Sequence, residues 1–162
     1  EVHIKKATFT EDALARLGTD DPVTFLTFDF FEHETQATPV VAGRAPEYDS
    51  GAAYVVTVND IFLRYLLDGR MVLELHQATG ADFRTWAACG VRLNGVLLDE
   101  DTGAGNLVPG TAQLISLDDG RPFGTVHYWV RFQMPMEQAF KLYRERLAAA
   151  GRGPAAMAEA AR

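Results

Sequence analysis

The chain has 162 residues, enough for one domain that buries roughly 70% of its unfolded surface in a single core. A hydrophobic fraction of 48% is globular, and a net charge of -7, from 22 acidic and 15 basic residues, argues against nucleic acid or anionic lipid as a general partner. A single cysteine, Cys89, excludes an internal disulfide framework and fits a reducing compartment, and no apolar run reaches transmembrane length.

The sequence has no initiator methionine and opens inside an apparent strand, so it reads as a piece of a longer protein. Val2 to Phe9 is the first expected strand, followed by about two helical turns over Glu11 to Leu17 and a stop at Gly18. Asp20-Asp21-Pro22 breaks the chain, because proline disfavours helix in the residue before it. Thr24 to Glu32 is the clearest strand, with Leu26, Phe28 and Phe30 on one face. Thr38 to Val41 reads as its short partner, and Gly43 to Gly51 as a connection dense in turn formers. Tyr54, Val56 and Val58 mark another strand, after which Asn59 or Asp60 caps a helix from Ile61 to Leu67 that stops at Gly69.

Met71 to Val91 reads as strand, polar loop (Gln77 to Arg84), strand. A long glycine-rich loop from Asp99 to Gly110 follows, then strands at Thr111 to Leu117 and Thr125 to Gln133, separated by the Asp118-Asp119-Gly120 turn. Pro135 opens a last helix, where its missing N–H costs nothing. Met136, Ala139, Phe140, Tyr143 and Leu147 share one face of that helix, which ends at Gly151. Seven or eight short strands and two short helices specify an all-β antiparallel sandwich rather than repeated βαβ units. The domain is expected to span 1–148, C-terminal helix included, with a loose alanine-rich tail over 149–162.

No catalytic or metal constellation emerges. Glu32-His33-Glu34 is placed on a strand end, where neighbouring side chains point to opposite faces and three ligands do not converge. Asp99-Glu100-Asp101-Thr102-Gly103 starts like a calcium loop, but Gly103, Ala104 and Gly110 stand where ligands and the sharp turn belong. Cys89 follows Ala87 and Ala88 in an apolar strand and reads as a small core hydrophobe. His3, His33, His76 and His127 fall on separate strands or ends, and none joins a zinc-protease or serine-nucleophile pattern.

The sequence as a whole resembles a known family. Asp20-Asp21-Pro22-Val23 before a long strand and Pro46-Glu47-Tyr48-Asp49 resemble turns of C2 domains. Longer blocks, Val58-Asn59-Asp60-Ile61-Phe62-Leu63, Leu73-Glu74-Leu75-His76-Gln77-Ala78 and Phe123-Gly124-Thr125-Val126-His127-Tyr128-Trp129-Val130-Arg131 among them, are similar to the first C2 domain of the retinitis pigmentosa GTPase regulator-interacting protein family, which includes fantom. The resemblance covers roughly positions 1 to 148 in blocks and departs over Gly95 to Gly110. It implies an eight-stranded C2 sandwich and a non-catalytic module of a cytoplasmic scaffold protein at the ciliary transition zone or basal body. It also implies other ciliary proteins, nephrocystins among them, as partners.

Calcium-binding C2 domains gather about five carboxylates from two end loops, because the ion takes six to eight hard oxygens. Here Asp21 matches, but the other aligned positions read Ala15, Gln77, Thr79 and Arg84 or Thr85, so no metal and no cofactor is expected. Tyr54 to Val58 and Met71 to His76 also lack the lysines of a phosphoinositide patch. The alternative to a protein-binding module, a calcium-independent lipid binder, rests on Phe83 and Trp86 as loop-tip insertion groups. In the last strand, Val126, Tyr128, Val130 and Phe132 alternate as the core face, leaving His127, Trp129 and Arg131 outward as the candidate partner-binding residues. The competing expectation is that Met136, Phe140 and Tyr143 of the last helix fold back over Trp129.

Overall fold

The computed structural model describes residues 1–95, 107–134 and 136–151. Nine antiparallel strands and three helices are found among them: β1 (Val2–Phe9), α1 (Glu11–Leu17), β2 (Val23–Asp29), β3 (Gln36–Ala37), β4 (Val41–Ala42), β5 (Glu47–Ala52), α2 (Asp60–Asp68), β6 (Arg70–Thr79), β7 (Asp82–Arg92), β8 (Leu107–Ser116), β9 (Pro122–Arg131) and α3 (Glu137–Gly151). Strand order is β3-β2-β6-β7-β8-β9-β1-β5, with β4 also on β2. β7 and β8 join only at Ala87↔Ser116 and Ala88↔Ile115, so the ladder folds there into two facing half-sheets. One is β3/β4-β2-β6-β7, the other β8-β9-β1-β5.

The core lies between the half-sheets because each strand buries alternate residues. Leu26, Phe28, Met71, Leu73 and Leu75 from one half meet Val2, Ile4, Leu114, Val126 and Val130 from the other. Gly110 is one position where no side chain fits, since a Cβ there would lie 2.6 Å from the Tyr128 hydroxyl across the ladder. α1 begins at a Thr10 cap whose hydroxyl accepts from Ala13 N and ends at Gly18 with φ 74, as the sequence signals require. Arg16 ties α1 to the β8–β9 turn through Ser116 Oγ and an ion pair with Asp119, whose carboxyl that guanidinium holds down to about 2. α2 has its Asn59 cap and buries Phe62, Leu63 and Leu66.

Five expectations about the strands need correction. The turn-rich connection is strand β5, paired with β1, while Tyr54 to Val58 alternates in burial but joins no ladder. The local signal misleads because β5 contains a bulge: Tyr48 and Asp49 lie between partners of Ile4 and Lys6, and Asp49 takes a left-handed φ of 42. The supposed polar loop from Gln77 to Arg84 is almost all strand, β6 and β7 meeting at a two-residue turn where Gly80 has φ 81. β2 stops at Asp29 because Phe31 turns the chain with φ 52, so Glu32 to Glu34 lies beyond the strand, with the His33 ring stacked on Phe30 and Tyr54. The partner at Thr38 to Val41 is instead two short pieces, β3 and β4, flanking the buried Thr38.

β8 starts at Leu107, inside the expected Asp99–Gly110 loop. Residues 99–106 of that loop, Pro135 and positions 152–162 of the tail lie outside the described residues, whereas 149–151 still belong to α3. Among the described residues, no helix is long and apolar enough to cross a membrane.

Candidate functional site

The half-sheet of β8, β9, β1 and β5 carries His127, Trp129 and Arg131 on its outer face. Register makes this unavoidable: Val126, Tyr128 and Val130 are buried, so the residues between them point away from the core. Cross-strand pairing places His3 beside Trp129 on one side and Pro109 on the other, and sets His127 between Lys6 and Thr111. The Trp129 indole stacks on the His3 imidazole with centroids 4.8 Å apart and planes 9° apart. The Arg131 guanidinium lies 5.6 Å from the indole centroid and pairs with Glu1. His3 Nε2 lies 2.7 Å from Asp49 Oδ1, a carboxylate that the β5 bulge swings towards it.

The result is a partly buried aromatic platform set in a frame of cations and carboxylates. Stacking of this kind contributes about 0.5–1.5 kcal/mol, and an exposed cation–π contact about 0.5–1 kcal/mol. The platform is therefore held in one orientation without being fully buried. α3 does not cover it. Met136, Phe140 and Tyr143 are buried, but α3 packs on α2, and Arg146 reaches Asp60 there. The expectation that the last helix closes over Trp129 is thus overturned. His3, Lys6 and Pro109 were not legible as part of this face, because only the three-strand register brings them to Trp129.

The end of the sandwich around the β6–β7 turn places the aligned calcium positions. Gln77 sits at the centre of a relay: its Nε2 donates to Leu17 O at 2.9 Å, and its Oε1 accepts from Trp86 Nε1 at 2.9 Å. A carboxylate at 77 would lose the first bond. Arg84 lies 3.7 Å over the Trp86 ring and bonds to Asp118 at 3.3 Å, which puts a fixed positive charge beside Gln77, its cross-strand neighbour. Asp21 is exposed. Among the described residues, no group of three or more His, Cys, Asp or Glu side chains is placed to hold a metal ion.

Trp86 itself corrects an expectation. It is 6% exposed and stacks on Phe123, so it is a core residue and not a loop-tip group. The cause is a bulge: Leu75 pairs with Ala87 and His76 with Thr85, leaving Trp86 as an extra residue turned inward. Phe83 remains 58% exposed. Cys89 is half-buried, and burial pushes its thiol up to about 11, the behaviour of an inert core thiol.

Two facing antiparallel half-sheets with this order define a C2 β-sandwich. Solved structures agree: one titled for CC2D1B coordinating ESCRT-III activity during mitotic reformation of the nuclear envelope aligns with TM-score 0.68 at 16% identity, over 86% of this chain and 57% of that one. A C2 domain of plant Extended Synaptotagmin 1 aligns at 0.50 and 14%, over 82% and 94%. Residues 1–135 match the family described as the first C2 domain of RPGR-interacting protein 1, and the chain belongs to that family. It is 36% identical over 146 residues to X-linked retinitis pigmentosa GTPase regulator-interacting protein 1 of Bos taurus, covering 90% of this chain and 12% of the relative. Against protein fantom of Caenorhabditis elegans, identity is 23% over 121 residues, covering 75% and 9%. The chain thus spans about a tenth of the length of the curated relatives it matches.

Proposed function

We propose that this C2 domain is a non-catalytic, calcium-independent protein-interaction module of a ciliary scaffold protein, and that its partner surface is the face of His127, Trp129 and Arg131. The observation that carries the reading is the Trp129 platform, partly exposed, fixed by His3 and left uncovered by α3. A tryptophan flanked by arginine at the centre of a polar frame has the composition of an interface hot spot. Calcium independence is supported by the Gln77 relay and the Arg84 guanidinium, which occupy the aligned ligand positions with an amide and a cation. An attached Ca²⁺ would have to displace both.

The family relationship supports a place at the transition zone or basal body. It also supports other ciliary proteins, nephrocystin-type ones included, as partners. The domain proper is 1–148, extended by the end of α3 to Gly151. Lipid binding is the weaker reading, because the core position of Trp86 leaves Phe83 as the single aromatic of the pair available for insertion.

The test is capture of proteins from ciliated cells by the wild-type domain and by Trp129→Ala, alongside sedimentation with phosphatidylserine and phosphoinositide vesicles. The reading expects capture that the variant loses and no salt-sensitive cosedimentation. Vesicle binding without protein capture would replace it with the lipid reading.

A further inference from the structure

The opposite half-sheet has an outer face of different chemistry. Phe25, His76 and Phe83, from β2, β6 and β7, form a three-ring cluster: Phe25 stacks on His76 at 4.9 Å, and Phe83 meets both rings edge-on at 5.6 and 5.1 Å. His76 is almost fully buried, its Nε2 bonded to Thr27 Oγ1 and its Nδ1 to Thr85 Oγ1, both at 2.8 Å. The rings are therefore fixed before any ligand arrives. Phe83 is nonetheless 58% exposed, and Leu117, held by its N–H on Trp86 O at the end of β8, is 59% exposed. Phe25, His76 and Phe83 make an apolar strip across three strands, about 10 Å at the usual strand spacing, and Leu117 follows it where the ladder folds from β7 to β8.

Charge says what covers this strip. The nearest outward charges along the strands are Glu74, in the row beside His76, and Asp29, one row further. Asp20 and Asp21 lead into β2 at the other end. β2, β6 and β7 contain no lysine. Of their arginines, Arg84 is turned over Trp86 and bonded to Asp118, while Arg70 and Arg92 are cross-strand neighbours at the far end of the ladder. Six residues separate Arg70 from His76, about 20 Å, roughly two Debye lengths in physiological salt. The field over the aromatic strip is negative.

We propose that the Phe25–Phe83–Leu117 strip is a second docking surface, and that it takes a basic amphipathic polypeptide helix whose apolar side chains lie on the strip and whose lysines or arginines meet Glu74 and Asp29. A strip of this length matches about two turns of helix. The inference goes beyond the Trp129 reading, and the two surfaces are scored by different variants, so either can fail alone.

The probe is a fluorescein-labelled leucine–lysine amphipathic helix of about 14 residues, titrated by anisotropy at about 0.15 M salt. Phe83→Ser and Glu74→Lys, both at solvent-facing positions, are expected to weaken binding about tenfold or more, with melting temperatures confirming the fold. Leu117→Ser is the third variant, should Phe83→Ser melt early. Trp129→Ala is expected to bind the probe like wild type. Equal affinity in all variants would show unspecific charge attraction and overturn the proposal, as would loss in Trp129→Ala alone. Binding to phosphatidylserine vesicles that disappears in Phe83→Ser would overturn it in favour of a membrane face.

Discussion

Both outer faces of this sandwich set an aromatic ring on a histidine, and the surroundings of the histidine make them different. On one face His3 supports Trp129 and has the Asp49 carboxylate 2.7 Å from its Nε2. On the other, His76 supports Phe25 and is enclosed by two threonine hydroxyls, with no carboxylate among its hydrogen-bond partners. The first pair is a surface device in a charged frame. The second is a small satellite core on the outside of a sheet, in which burial holds the imidazole pKa down, with Glu74 opposing weakly. A ring stacked on a histidine thus sits in a charged frame in one place and in a buried, hydroxyl-lined cluster in the other.

The largest expected effect breaks the comparison at its buried end. His76→Ala removes a ring packed between two phenylalanines and leaves the Thr27 and Thr85 hydroxyls without their partner, so a loss of about 2–4 kcal/mol is expected in urea denaturation. His3→Ala should cost about 1 kcal/mol, because it removes one stack on a partly solvated face. Equal losses would mean that the two histidines are not different in kind.

Acid sharpens the contrast next. The His76 pKa is lowered on folding from its ordinary 6.5, so below about 6.5 the unfolded chain takes up a proton that the folded ring resists. Stability from this group is present at neutral pH, falls as pH drops below that value, and levels off once the folded ring is also protonated. The slope is at most about 1.4 kcal/mol per pH unit for one proton. Melting curves at stepped pH should show this component in wild type and lose it in His76→Gln.

How much of this was readable in advance divides along the same line. Single-strand alternation gave the outward set His127, Trp129 and Arg131 and the buried set Val126, Tyr128 and Val130, because a strand's period needs no partner to be seen. Caps at Thr10 and Asn59 and the stop at Gly18 were likewise local. What required two strands at once was missed. The bulge that buries Trp86 is a property of the β6–β7 register, invisible in either strand alone. The β5 bulge hid a strand beneath turn residues, and the run of β-branched residues at Val55 to Val58 suggested a strand where no neighbouring ladder exists. The destination of α3 depended on α2, not on its own stripe.

A smaller effect is expected on the exposed side. Trp129→Ala should lower stability by only about 1 kcal/mol, the value of its stack and of the Arg131 contact. A loss of about 3 kcal/mol or more would identify Trp129 as a packed core residue. Smallest of all is the response to calcium: millimolar Ca²⁺ against chelator should leave the melting temperature unchanged, since a bound ion must stabilise the folded state by linkage.

The central claim is tested most directly by quantitative capture from ciliated-cell extract with wild-type domain and with folded Trp129→Ala, each in calcium and in chelator. The expected result is a set of bound proteins that is the same with and without calcium and is lost from the variant. Retention of that set by Trp129→Ala, or capture that appears only when calcium is present, would contradict it.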